Sequence, residues 1–247
     1  MSRRWLIFSI SSSLFFISQF FRVSNAVIAP MLLRDLSLDT EGLGLISASF
    51  FYAFALTQVP ISLFLDKIGP RILMTALSAI GILGALVFSW ADSLALAVTG
   101  RVLLGAGMAC NLMGTFKLLT LWFSPRKFAT LMGIVAAIGT VGNMVATTPL
   151  VVLVENVGWR AGFQLIAAIN LFLTLVFYVV VCDPPAETPN KIDGGSSTGM
   201  HAVIANIQLL FKRKDYWIIS FSTLVRYGVL AAFQALWAGP FLMEVMG

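Results

Sequence analysis

The chain has 247 residues, of which 59% are hydrophobic and 11% charged, and its mean hydropathy is +0.93. A soluble domain carries about 25% charged residues, so a water-soluble globule is excluded, as are disorder, collagen and a disulfide scaffold. The net charge of +5 raises nucleic acid as a partner, and that reading depends on where the cations sit.

Apolar runs long enough to cross about 30 Å of hydrocarbon at about 1.5 Å per residue occur at 5–33, 42–65, 72–91, 94–121, 128–154, 161–181 and 216–243. The first follows Arg3 and Arg4, but it is too long for a signal-peptide core and lacks a small-x-small cleavage site before Pro30. It therefore reads as a retained first helix. On it Arg22 has Gln19 and Asn25 one turn away on either side, so three polar groups share one face. Tyr52 and Gln58 are weaker polar candidates on the second span. The second and third spans are joined through Ser62-Leu-Phe-Leu-Asp66-Lys67-Ile-Gly69-Pro70-Arg71. On the fourth, Arg101 opens the stretch Arg101-Val-Leu-Leu-Gly105-Ala-Gly107. It lies about 8 residues in, or about 12 Å along the helix, near the middle of a bilayer. A charge there costs about 2.5–3.5 kcal/mol on insertion scales. Arg101 is expected to face a cavity, the alternative being an arginine held by backbone carbonyls. Lys117, a turn from the end of the same span, can snorkel.

On the fifth span Ala129, Gly133 and Ala137 form a small-residue stripe suited to close helix approach. Gly139, Asn143 and Thr147 form a second stripe with hydrogen-bonding groups that could line a cavity, and Pro149 should bend the helix just beyond. Gly158-Trp159-Arg160-Ala-Gly-Phe163 opens the sixth span, where Trp159 and Arg160 read as anchors at the membrane interface. Residues 183–215 are rich in Pro, Gly and Ser, as a linker is. Within it, 201–213 could form a short amphipathic helix or a solvated charge run. The seventh span carries Arg226 about 10 residues from its start, with Gln234 and Trp237 beyond. Cys110 and Cys182 fall in apolar stretches with no spacing for a bridge or a metal and read as lipid-buried. His201 has no companion ligands.

With the N-terminus in the cytoplasm, the connections on that side hold Arg3, Arg4, Lys67, Arg71, Arg126, Lys127, Lys191, Lys212, Arg213 and Lys214. The opposite side holds Arg34 and Arg160. This bias predicts a cytoplasmic N-terminus and places the basic charge on a membrane surface, which removes the nucleic-acid reading. Arg22, Arg101, Lys117 and Arg226 remain inside spans, while every Asp and Glu falls in a loop or at a helix end.

The connection between the second and third spans resembles the Gly-x-x-x-Asp-(Arg/Lys)-x-Gly-x-(Arg/Lys) loop of the major facilitator superfamily, with Ser62 in place of the first glycine. The Arg101 stretch is similar to that superfamily's Arg-x-x-x-Gly-x-Gly, and the Trp159 motif opens the sixth helix in many of its members. The resemblance implies an all-α membrane fold: a six-helix bundle of 3+3 inverted repeats over residues 1–182, a cytoplasmic linker at 183–215, and a seventh helix in 216–247 that starts a truncated second bundle. It implies a conformational latch at Asp66, Lys67, Gly69 and Arg71, since Gly69 permits a tight turn and Asp66 can pair with basic groups on neighbouring helix ends. No sequence identity between the two repeats is evident.

In such a fold the first and seventh helices face each other across a central cavity. Arg22 and Arg226 then look like the arginine pair of organophosphate and organic-anion transporting members, a bidentate anion site; the alternative pairs one arginine with an acid of the missing half. The expected function is secondary transport of a small, anionic organic solute by alternating access. Substrate-binding candidates are Arg22, Gln19, Asn25, Arg101, Asn143, Arg226 and Gln234. The expected partners are the solute, the lipid bilayer and the missing C-terminal half, and the expected location is a bacterial inner membrane. A transporter-like sensor is the rival reading. A multidrug antiporter is disfavoured because Pro149 follows Thr148 rather than a glycine. No phosphate-binding loop, nucleophile elbow or carboxylate pair points to an enzyme, and no cofactor is implied.

Overall fold

The structure, a computed structural model, describes residues 3–182 and 211–232. The chain divides into two compact units, Met1–Ala186 and Glu187–Gly247. The first holds α1 (Arg3–Asp35), α2 (Thr40–Ile68), α3 (Pro70–Ser89), α4 (Leu94–Met108), α5 (Asn111–Trp122), α6 (Pro125–Val145) and α7 (Thr148–Val180), and the second holds α8 (Lys214–Ala232). All elements among the described residues are helices. In the first unit six stretches are long and apolar enough to cross a membrane, α4 and α5 together forming one of them. Residues 183–210 of the expected linker 183–215, with His201 and most of the amphipathic segment, lie outside the described residues, as do Gln234 and Trp237.

The helix ends follow from local chemistry. The Asp39 carboxylate accepts from Gly42 N at 2.7 Å and caps α2. Pro70 and Pro125 occupy first-turn positions of α3 and α6, where a missing N–H costs nothing. The break between α6 and α7 lies at Ala146–Thr147, just before Pro149, whose ring clashes with the carbonyl four residues earlier. Gly69 turns α2 into α3 with φ 87° and ψ 152°. Gly158, inside α7, has nearly the same conformation, φ 79° and ψ 155°. This backbone region is open essentially to glycine alone. The chain doubles back at Gly158, because a Cβ on Gly162 would lie 3.3 Å from Val154. Residues 125–157 therefore make the fifth span and 159–180 the sixth.

Three helices come before the middle of the bundle and three spans follow it, and the packing treats the two sets alike. The second-set opener, α4, packs on α2 and α3, while α1 packs on α6 and α7; α3 meets α7. Two close approaches echo each other. A Cβ on Gly105 of α4 would collide with the Phe50 carbonyl of α2, and one on Gly142 of α6 would lie 2.6 Å from the Phe16 carbonyl of α1. The repeat is also visible in sequence, at a spacing of 89 residues: Pro60 and Pro149, Asp66 and Glu155, Gly69 and Gly158, Arg71 and Arg160. Apolar identities such as Leu86-Val87-Phe88 and Leu175-Val176-Phe177 accompany these four, but apolar residues interchange freely in a membrane bundle, so the two sets look unrelated until the turns are superposed.

The stripe Ala129, Gly133 and Ala137 does not mediate packing within the unit. All three are exposed, and nothing lies within 4 Å of a Cβ placed on Gly133. Close approach is made instead by Gly139, against the Phe15 ring, and by Gly142. Spacing identifies a face of small residues but does not say which neighbour it meets.

Candidate functional site

The first helix presents a polar strip between two neighbours. It meets α6 through Phe15 and Phe16, opposite Gly139 and Gly142, and meets α2 through Asn25, whose Nδ2 donates to Ser47 Oγ at 2.7 Å. Gln19 and Arg22, both half-buried, lie along α1 between those contacts. The Arg22 guanidinium sits 5.5 Å from the centre of the Phe51 ring on α2, within cation–π range. Asn25 is buried, with its carbonyl oxygen unpartnered. Asn143, next to Gly142 on α6, likewise has a buried Oδ1 with no hydrogen bond. The structure thus sets Arg22 and Asn25 against α2, with Gln19 on the same helix and Asn143 on α6, next to the Gly142 that meets Phe16 of α1. Ser47, which fixes the Asn25 amide and itself donates to Leu43 O at 3.0 Å, carries no sequence signal beyond being polar in an apolar run.

Arg101 is elsewhere. It has no exposed surface, donates from Nη1 to the Phe21 carbonyl at 3.1 Å, and lies 4.7 Å from the Phe50 ring centre and 5.7 Å from that of Phe88. The expected cavity-facing arginine instead crosses the interior of the bundle, tying α4 to α1 between two aromatic faces. Its Nε and Nη2 have no hydrogen-bond partner among the described residues. Two turns on, α4 breaks, and carbonyls at the break are capped by neighbours: Ser18 Oγ donates to Met108 O at 3.1 Å and Gln58 Nε2 to Ala109 O at 3.1 Å. Tyr52 is 72% exposed on α2. Arg226, on α8 in the second unit, is exposed beside Phe221, Ser222, Val225 and Val229.

Each end of the bundle is tied by ionic contacts. At the end that holds Arg3, Asp66 pairs with Lys117 at 2.7 Å. Arg71 donates from Nε to Tyr178 O at 3.0 Å and stacks 4.4 Å from the Tyr178 ring centre. Lys67 is exposed. At the opposite end, Asp35 Oδ2 accepts from Trp159 Nε1 at 2.8 Å and from Arg160 Nη1 at 3.0 Å, and Arg160 Nη2 donates to Ala91 O at 2.9 Å. Trp159 is only 2% exposed, so it is a core residue and not the interface anchor expected of it. Its indole needs a buried acceptor, which Asp35 supplies. Cys110 is buried, but Cys182 is half-exposed and accepts from Arg3 at 2.8 Å. Among the described residues no cluster of His, Cys, Asp and Glu could hold a metal ion.

The sequence profile of the Major Facilitator Superfamily matches residues 10–247. A protein of Cupriavidus necator named "Probable sulfoacetate transporter SauU" is 25% identical over 99% of the chain and 58% of its own length. The hexuronate transporter of Bacillus subtilis is 21% identical over 92% of the chain and 53% of its own length. Among solved structures, a bacterial homologue of the human lysosomal transporter Spinster, inward-facing and unoccupied, superposes with a TM-score of 0.73 at 20% identity. That match covers the whole chain and 57% of the other protein. The chain thus spans somewhat more than half the length of these relatives.

Proposed function

The chain belongs to the Major Facilitator Superfamily, a family of transporters and not enzymes, and on that premise we propose that it forms the N-terminal bundle and following helix of a secondary transporter that carries a small organic anion by alternating access. As a multi-pass membrane protein it would sit in a bacterial inner membrane with its N-terminus in the cytoplasm, the side its loop cations favour. Two relatives carry the names of anions, sulfoacetate and hexuronate, as their solutes, which supports the substrate class.

The observation that carries the reading is Arg22: a half-buried guanidinium within a span, flanked by amides, in a unit whose acids all sit in loops or near helix ends. In this reading Arg22 grips the solute's carboxylate or sulfonate through its planar fork. Gln19 and Asn143 hydrogen-bond the rest of the solute, and Ser47 holds Asn25 in a donating or accepting pose beside them. Arg226 and Gln234 are the further solute-binding candidates, carried by the second unit. Arg101 acts one layer behind, fixing α1 through the Phe21 carbonyl so that Arg22 keeps its place. The ion pair of Asp66 with Lys117, next to Lys67, Gly69 and Arg71, is the proposed latch that opens and closes as the bundles rock.

The test is uptake by intact cells expressing the whole protein, with a panel of small carboxylates and sulfonates. A charged hydrogen bond is worth about 1.5–3 kcal/mol, so Arg22→Ala should cut anion uptake about 10- to 150-fold at unchanged expression. Uptake of a neutral or cationic solute, undiminished in Arg22→Ala and Arg226→Ala, would overturn the anion reading.

A further inference from the structure

Arg71 and Arg160 are equivalent by the 89-residue repeat, and each begins the third span of its set just after a glycine of the same conformation. Each reaches a carbonyl at the end of the partner helix: Arg160 that of Ala91, Arg71 that of Tyr178. Each also stacks on an aromatic ring, Trp159 at 4.3 Å and Tyr178 at 4.4 Å. They differ in their anion. Arg160 holds the carboxylate of Asp35, whereas position 124, the equivalent of 35, is Ser124. In place of an acid, a second cation arrives. Arg3 donates to Val180 O at 3.4 Å and to Cys182 Sγ at 2.8 Å, on the last turn of the helix whose Tyr178 carbonyl binds Arg71. Asp66, the acid nearest in sequence among the described residues, is taken by Lys117.

Two guanidiniums therefore converge on one helix end, where the carbonyl dipoles favour positive charge. Arg71 spends only Nε and Arg3 only Nη2 on these contacts, which leaves further N–H groups on each. Below them the surface is apolar: Ile72, Tyr178 and Val179 are all exposed. Paired cations above an apolar helix surface at the end of a membrane bundle suit one ligand chemistry, a phosphodiester whose acyl chains lie along the helices.

We infer that Arg3 and Arg71 form a binding site for the headgroup of an anionic phospholipid, seated between the starts of α1 and α3 and the end of α7. The lipid phosphate does for Arg71 what Asp35 does for Arg160. It completes the charge at a place where, among the described residues, Arg3 and Arg71 meet no carboxylate, Asp66 being paired with Lys117, and it does so from the bilayer.

The test uses the purified protein in a non-ionic detergent, titrated with phosphatidylglycerol or with phosphatidylcholine, the lipid adducts being counted by native mass spectrometry. Phosphatidylglycerol should be retained in preference, and retention should fall by about fivefold or more in R3Q/R71Q. It should hold in R126Q/K127Q, which removes the same charge from the same end of the bundle. Equal falls in both double variants would show a diffuse surface attraction and overturn the site. So would no fall in R3Q/R71Q, whether because a linker carboxylate such as Asp183 fills the place or because nothing does. Inorganic phosphate at millimolar concentration should leave the adducts intact, and displacement by it would show a free-anion site. If R3Q/R71Q fails to purify as a single species, Arg3→Gln and Arg71→Gln carry the test separately, each with at least about a twofold loss.

Discussion

The two sets of three spans share their turns and their packing but not their charges. In α1–α3 the reversal at Gly69 is followed by an arginine that, among the described residues, binds backbone and an aromatic ring. In α4–α7 the reversal at Gly158 is followed by an arginine that also closes on an acid from the first set. Helix geometry thus tolerates almost any apolar filling as long as the glycines stand at the turns and contacts, while the polar residues are free to diverge. The backbone of the repeat is held by what cannot be larger, and its chemistry is set by what happens to be charged.

The strongest way to break the equivalence is through its tightest contacts. Gly105→Leu and Gly142→Leu each drive a side chain against a backbone carbonyl, and each should cost at least about 1–3 kcal/mol, read as lost monodisperse protein and a lower melting temperature. If one is tolerated and the other is not, the two interfaces are not true counterparts. A smaller effect separates the two arginines. Arg160→Gln leaves Asp35 and the Ala91 carbonyl short of a donor and should lower the melting temperature by about 2–4 °C, matching about 1 kcal/mol for a partly exposed pair. Arg71→Gln, which loses one carbonyl bond and no carboxylate, should fall by about half as much in detergent without added lipid. The smallest expected effect is at Asp66 and Lys117, an exposed pair worth about 0–1 kcal/mol. Asp66→Lys should leave the melting temperature nearly unchanged yet slow transport, and D66K/K117D should restore it. A double variant as slow as the single one would remove the pair from the latch.

Much of the fold is legible in the amino acids, because span length depends only on a run of apolar residues. The first six spans lie within a few residues of the helices observed, and the bend expected near Pro149 falls at Ala146–Thr147. Which way a helix faces is far less legible. In a soluble bundle, polar residues mark the outside; here lipid and core are both apolar, so Gly133 on the surface and Gly139 against Phe15 look alike until the neighbour is known. The habits of its residue type put Trp159 at the membrane interface, yet one acceptor, the Asp35 carboxylate far away in sequence, is enough to draw it inside. Helical spacing alone puts Gln19, Arg22 and Asn25 on one helix face, whereas the neighbours of Arg22 and Asn25, Phe51 and Ser47, come from packing that no local pattern announces. Arg101 turns inward because two phenyl rings and a carbonyl receive its charge inside the bundle.

The spacing of 89 residues encloses three crossings, and three is odd. A segment that crosses the membrane three times ends on the side opposite to where it began, so a second copy joined directly to the first enters upside down without any rearrangement of the chain. Each turn motif therefore appears once on each face of the membrane. A substitution suited to one face has a twin position exposed to different lipids and a different solution, and the divergence of Arg71 and Arg160 is the trace such unequal surroundings would leave.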